Sequence, residues 1–79
     1  MISKEQCRAA RAWLNLKQEE LAEASGVSVR TLIDFEKGVR VPHDRTLRDV
    51  QRAFEATGIE FVFDGARPSG IVFVSAKNE

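Results

Sequence analysis

Apolar side chains recur along this chain at two spacings, and the switch from one to the other divides it into elements. Cys7, Ala10, Arg11 and Leu14 fall three and four apart, the period of a helix with one inward face. Ser3 precedes that run with Gln6 three residues on, the arrangement in which a hydroxyl and an amide cap each other's backbone N–H groups. A first helix is therefore predicted from after Ser3 to about Leu14. Leu21 and Ala22, with Ala24, supply the inward stripe of a second short helix, while Glu19, Glu20 and Glu23 stay wet. Gly26 makes a turn, free to take a left-handed conformation that strains any residue with a Cβ. Ser28 caps a third helix, in which Val29, Leu32, Phe35 and Glu36 recur at helical spacing. Gly38 ends it, and the loop from Val39 to Pro42 cannot continue helical. Asp44 or His43 caps a fourth helix with Leu47, Val50, Phe54 and Thr57 inward, Ala53 beside them and Gly58 closing it.

From Ile59 the period becomes two. Ile59, Phe61 and Phe63 alternate with Glu60, Val62 and Asp64, a strand; the loop DGARPSG follows, and Ile71 to Ser75 makes a second β-rich run. An isolated two-stranded hairpin is marginal in water, and this one is too apolar to stand uncovered. It can fold back on the first and fourth helices of its own chain or pair with the same hairpin of a second copy about a two-fold axis. The second arrangement is the expectation, because so small a helical core lacks the surface to cover both faces of the ribbon. On that reading residues 1–58 form the main domain, residues 59–79 a dimerisation extension, and Ile59, Phe61, Phe63, Ile71 and Phe73 its contact side chains.

Two short helices joined by a glycine turn, with inward residues placed to pack them together, form a helix-turn-helix, and that unit points to DNA. Here the chain resembles the Cro-like or lambda-repressor-type helix-turn-helix proteins, often called XRE-type. The likeness runs in order from about Arg8 to Gly58 through ARAWLNLKQEELA, GVSVRTLIDFEKG and VPHDRTLRDVQRAFEATG. It rests on the combination of Gln18, Ala22, Gly26, Leu32, Glu36 and Gly38, followed by a proline and a further amphipathic helix. The tail is similar to that of very short members that run straight into a small β element. The resemblance implies a mainly α lambda-repressor-like domain of four helices with a short C-terminal β-hairpin. It also implies a structural ion pair between Arg11 and Glu36; an arginine on an apolar stripe needs a partner in any case, because an unpaired buried charge is costly.

Seventy-nine residues make one domain of marginal stability, which oligomerisation would strengthen. Twelve basic and twelve acidic residues cancel, so no strongly basic composition argues for nucleic acid. Distribution matters more: Lys17, Arg30, Lys37, Arg40 and Arg45 lie in or beside the two-helix unit and its following loop. The single cysteine, Cys7, cannot form an internal disulfide and falls on the apolar face of the first helix. With no apolar leader in MISKEQC and no long hydrophobic run, a reducing cytoplasm and no membrane partner are the expectations. One histidine, no zinc-type spacing, no phosphate loop and no nucleophile motif argue against an enzyme, a metal site or a cofactor.

The partner expected is double-stranded DNA, read by a homodimer. In such units the N-terminal end of the second helix enters the major groove. Here that places Ser28, Val29, Arg30, Ile33 and Asp34 at the base edges. Arg30 can bond guanine O6 and N7 in parallel, Val29 can touch a thymine methyl, and Asp34 can accept from cytosine or orient Arg30 through the i,i+4 spacing. Phosphate contacts fix register without reading sequence. The resemblance gives Gln18 that role, and Lys17, Thr31, Lys37, Arg40 and His43 join it at the margins of the unit. Lys17 replaces the usual serine or threonine cap, and a cation there opposes the helix dipole unless a phosphate sits at that end. The alternative is an antitoxin-like or adaptor-like module whose tail grips another protein, since one fold serves several functions. Trp13 lies off the main stripe and is read as packing against the tail or a neighbouring subunit.

Overall fold

A computed structural model describes residues 1–74. Four helices come first, α1 (Lys4–Leu14), α2 (Gln18–Ser25), α3 (Val29–Lys37) and α4 (Asp44–Glu55), followed by β1 (Ile59–Asp64) and β2 (Arg67–Phe73). The local signals explain each boundary. Ser3 Oγ accepts from the Gln6 N–H at 3.1 Å while Gln6 Oε1 accepts from the Ser3 N–H at 3.0 Å, the reciprocal cap that starts α1. Asn15 ends that helix in the left-handed region. Gly26, with φ of 73°, turns α2 into α3, where the Ser28 hydroxyl takes over as cap. His43 stands at the cap position of α4 without a side-chain bond, and Asp44 is its first helical residue. That helix stops at Glu55, short of the expected last inward residue Thr57, whose hydroxyl donates to the Phe54 carbonyl at 2.6 Å in the turn that leads to Gly58.

The core gathers Ile2, Cys7, Ala10, Leu21, Leu32, Phe35, Leu47, Val50, Phe54 and Ile59, one contribution or more from every helix and from β1. Ala24 is exposed, against expectation. Ser25 turns inward in its place, its hydroxyl donating to the Leu21 carbonyl at 2.7 Å. In a helix this short, one residue of rotation decides which small side chain meets the core.

The hairpin departs most from the sequence pattern. Asp64 pairs with Arg67, so the connection is the two-residue loop Gly65–Ala66 and not the longer DGARPSG. Pro68 and Gly70, residues that normally interrupt a strand, are accommodated by a register shift between Val62 and Phe63. The second strand thus begins at Arg67, and Ser75, the expected end of that run, lies outside the described residues. The ribbon folds back on its own helices. Ile59 is fully buried in the helical core, where it cannot touch a second copy, and Phe61, Phe63 and Ile71 pack half-buried against that core. Phe73 retains exposed surface and lies against Trp13, ring centroids 5.9 Å apart, which puts the tryptophan on the tail of its own chain.

The side chain of Gln6 explains why the ribbon docks here. Its amide Nε2 donates to the Val62 carbonyl at 3.0 Å and the Gly70 carbonyl at 2.8 Å, bridging both strands beside the register shift. Gln6 thus gives α1 a donor to part-buried carbonyls of both strands, the Val62 carbonyl being shared with the Ser69 hydroxyl at 3.3 Å. No helix among the described residues is long and apolar enough to cross a membrane.

Candidate nucleic-acid interface

Helix α3 has one locked face and one open face. On the locked side Leu32, Phe35 and Glu36 are buried. The Glu36 side chain, 4% exposed, accepts four hydrogen bonds. Arg11 of α1 grips it in two-pronged fashion, Nε to Oε2 at 2.8 Å and Nη2 to Oε1 at 2.7 Å. Gln18 of α2 donates Nε2 to Oε1 at 3.0 Å, and Cys7 of α1 donates its thiol to Oε2 at 3.2 Å. Arg11 spends its remaining prong on the Leu16 carbonyl at 2.9 Å, so three helices and the α1–α2 loop meet at one carboxylate.

The electrostatics follow from this geometry. Burial alone would raise the Glu36 carboxyl, but hydrogen bonds from Arg11, Cys7 and Gln18 outweigh it and hold the group below the usual carboxylate range. The bond from Arg11 to Glu36 raises the guanidinium further against its own desolvation. Burial, reinforced by the hydrogen bond and charge of Glu36, pushes the Cys7 thiol up. It therefore stays protonated, the form a donor requires. Cys7 is a buried structural thiol with a polar duty, where its place on an apolar stripe suggested packing alone.

The open face carries the side chains expected at the base edges. Ser28 Oγ accepts from the Thr31 N–H at 3.1 Å and its hydroxyl donates to Thr31 Oγ1 at 2.9 Å, so the first turn of α3 is held by its own side chains. Arg30 extends into solvent, 80% exposed, with Nε 3.9 Å from Asp34 Oδ1 one turn later. So long and exposed a pair is loose, and it leaves the guanidinium fork free to turn to another partner. Val29 and Ile33 are half-buried beside them.

The residues expected at phosphates separate into groups. Lys17 and Gln18 stand at the start of α2, where Glu20 Oε1 accepts from the Lys17 N–H at 2.8 Å, one half of a capping box, while the Lys17 side chain caps no N–H of the first turn. Gln18 is tied to α3 through Glu36, which leaves one amide N–H and its carbonyl oxygen for an outside partner. Lys37, Arg40 and His43 are exposed around the end of α3 and the loop to α4. Thr31 is half-buried and engaged with Ser28.

Two side chains with work in this region escaped the reading of the sequence, Lys4 and Arg8, as did the second duty of Gln6 at the hairpin. Arg8 donates Nη1 to the Glu36 backbone carbonyl, near the end of α3. The Lys4 ammonium rests over Gly38, where an added Cβ would lie 2.6 Å from Nζ. A signal was present, since Lys4, Arg8 and Arg11 follow one another at spacings of four and three and so share one stripe of α1.

Residues 8–61 match the model of a protein family described as helix-turn-helix. No curated protein matches the chain.

Proposed function

The chain belongs to the helix-turn-helix family of Cro and lambda-repressor type, DNA-binding transcriptional regulators, and on that premise we propose that it acts in the cytoplasm as a homodimer on a palindromic operator. The observation that carries the reading is the division of α3: its inner face is fixed by Glu36, while Arg30, one residue into the helix, is presented to solvent with only a loose intrahelical partner. Ser28, Val29, Arg30, Ile33 and Asp34 would meet base edges, and Lys17, Gln18, Thr31, Lys37, Arg40 and His43 would hold the backbone. For pairing of two copies, the support is exposed apolar surface at the ribbon: Val62 and Val72 on its outer face, and Trp13, 63% exposed, against Phe73, 42% exposed, at the end of the inner face. A chain with net charge zero also offers a second copy no long-range repulsion.

Selection of bound duplexes from a random DNA pool, with protein mass measured in solution, tests the proposal. A two-fold symmetric consensus with half-sites about 10 bp apart, bound by a species of twice the chain mass, is the expected outcome. A monomer that enriches nothing would overturn it, and the exposed surface would then fit the antitoxin or adaptor reading. Arg30→Ala should lose about 1–3 kcal/mol of discrimination at one base pair of each half-site while the fold is kept. Unchanged affinity and preference in that variant would remove Arg30 from base reading.

A further inference from the structure

Four cations gather at the C-terminal end of α3, two of them carried there by α1. Lys4 places its ammonium over Gly38, Arg8 donates to the Glu36 carbonyl, and Lys37 and Arg40 flank the same helix end in the chain. Lys4 and Arg40 line one shallow groove of about 310 Å³ over Phe35 and Leu47. Glu5 stands on its rim, yet the ion pairs among the described residues are Arg11–Glu36, Arg30–Asp34, Arg52–Asp49 and Arg67–Asp64, none of which involves these four cations. In a chain with as many acids as bases, four cations around one helix end without a carboxylate partner call for an anion.

The helix end does not account for all of them. Its carbonyls are satisfied by the chain itself, Asp34 by the Val39 N–H at 2.9 Å and Phe35 by the Gly38 N–H at 3.0 Å, while Arg8 takes Glu36. The Lys4 ammonium has no hydrogen bond among the described residues, and on the first residue of α1 its charge opposes the dipole of its own helix. Over Gly38 the same charge complements the C-terminal end of α3, and the ammonium, with no hydrogen bond or ion pair among the described residues, keeps its N–H groups for an anion.

We infer that Lys4 and Arg8 of α1 join Lys37 and Arg40 in a clamp for backbone phosphates of duplex DNA, set at the end of α3 away from its base-reading turn. The inference rests on the DNA-binding reading above and adds α1 to the contact surface. Arg8 has further guanidinium N–H groups beyond the one spent on Glu36, so it can bridge α3 to a phosphate. The clamp carries no sequence information and fixes how deeply the recognition helix is presented.

The test is the salt dependence of binding to a mixed-sequence duplex about three helical turns long. Lys4→Gln removes a cation that makes no hydrogen bond or ion pair among the described residues, and its opposed effects on the dipoles of α1 and α3 offset, so the melting temperature should shift by less than about 4–8 °C. Each phosphate left without its cation should lower the slope of log affinity against log salt by about 0.9, equivalent to about eightfold weaker binding at 0.1 M salt. Lys4→Gln with Arg8→Gln should double that change. Arg67→Gln, which alters net charge equally at the far hairpin turn, should leave the slope alone. A Lys4→Gln slope equal to the parent's, or an equal fall in Arg67→Gln, overturns the clamp while DNA binding stands. A parent chain that does not bind the duplex overturns the DNA reading and the clamp together.

Discussion

Arg11→Ala is expected to cost the fold about 3 kcal/mol, because it withdraws two of the four donors from a carboxylate that cannot reach bulk water. Breaking a buried pair from one side typically costs about 3–5 kcal/mol, and the lower end applies because Arg11 is itself 23% exposed while Gln18 and Cys7 continue to donate. For a domain of this size each kcal/mol moves the melting temperature by about 4–8 °C, so a fall of roughly 12–24 °C should appear in a thermal melt. Acid provides an internal control. The folded Glu36 carboxyl lies below its unfolded value, so its contribution is fully present above the unfolded carboxylate pKa and is lost as pH falls through the folded one. The parent should lose that stability on acidification, and the gap between parent and Arg11→Ala should narrow. A gap that stays constant from neutral pH into the acid range would show that Arg11 stabilises through packing of its stem and not through the carboxylate. Replacing Arg11 and Glu36 together by apolar residues of similar volume should cost far less than the single change, since no charge is then stranded.

The same pair shows what the sequence can and cannot reveal. Helical spacing put Arg11 and Glu36 on inward faces, and the cap formed by Ser3 and Gln6 is written within four residues of chain. Such signals are local, and they located the four helices and the turn at Gly26. Gln6 also holds carbonyls 56 and 64 residues away, and nothing near Gln6 in the chain announces that second duty. The hairpin was legible as two apolar runs, yet Pro68 and Gly70 hid the start of β2 because a register shift makes room for them. Whether the ribbon met its own helices or a second copy depended on how much apolar surface the helices offer together. Ile2, Phe35, Leu47 and Phe54 meet across the fold, so that surface forms only once the helices are packed. At the interface the exposed fork of Arg30 followed from its place on α3. The approach of Lys4 and Arg8 to the end of α3 followed from helix packing, which spacing along α1 could suggest but not locate.

Phe54→Ala is expected to have the largest effect of any single truncation, about 3–5 kcal/mol, and to fall on the hairpin as much as on the helices. Phe54 is fully buried in α4, and its ring meets that of Phe61 in β1 edge to face, centroids 5.8 Å apart at an interplanar angle of 70°. Removing it opens a cavity beneath Ile59 and Phe61 and forfeits an aromatic pair worth about 0.5–1.5 kcal/mol beyond its buried area. Phe73→Ala, at the exposed end of the same ribbon, should cost less than about 1 kcal/mol, since its ring is already part-wet against Trp13. Amide exchange separates the arrangements. If the ribbon is held by its own helices, amides of β1 and β2 in Phe54→Ala should lose protection in step with those of α4, at any protein concentration. Protection of the strands that survives the change and rises with concentration would place the principal hold on the ribbon in a second copy.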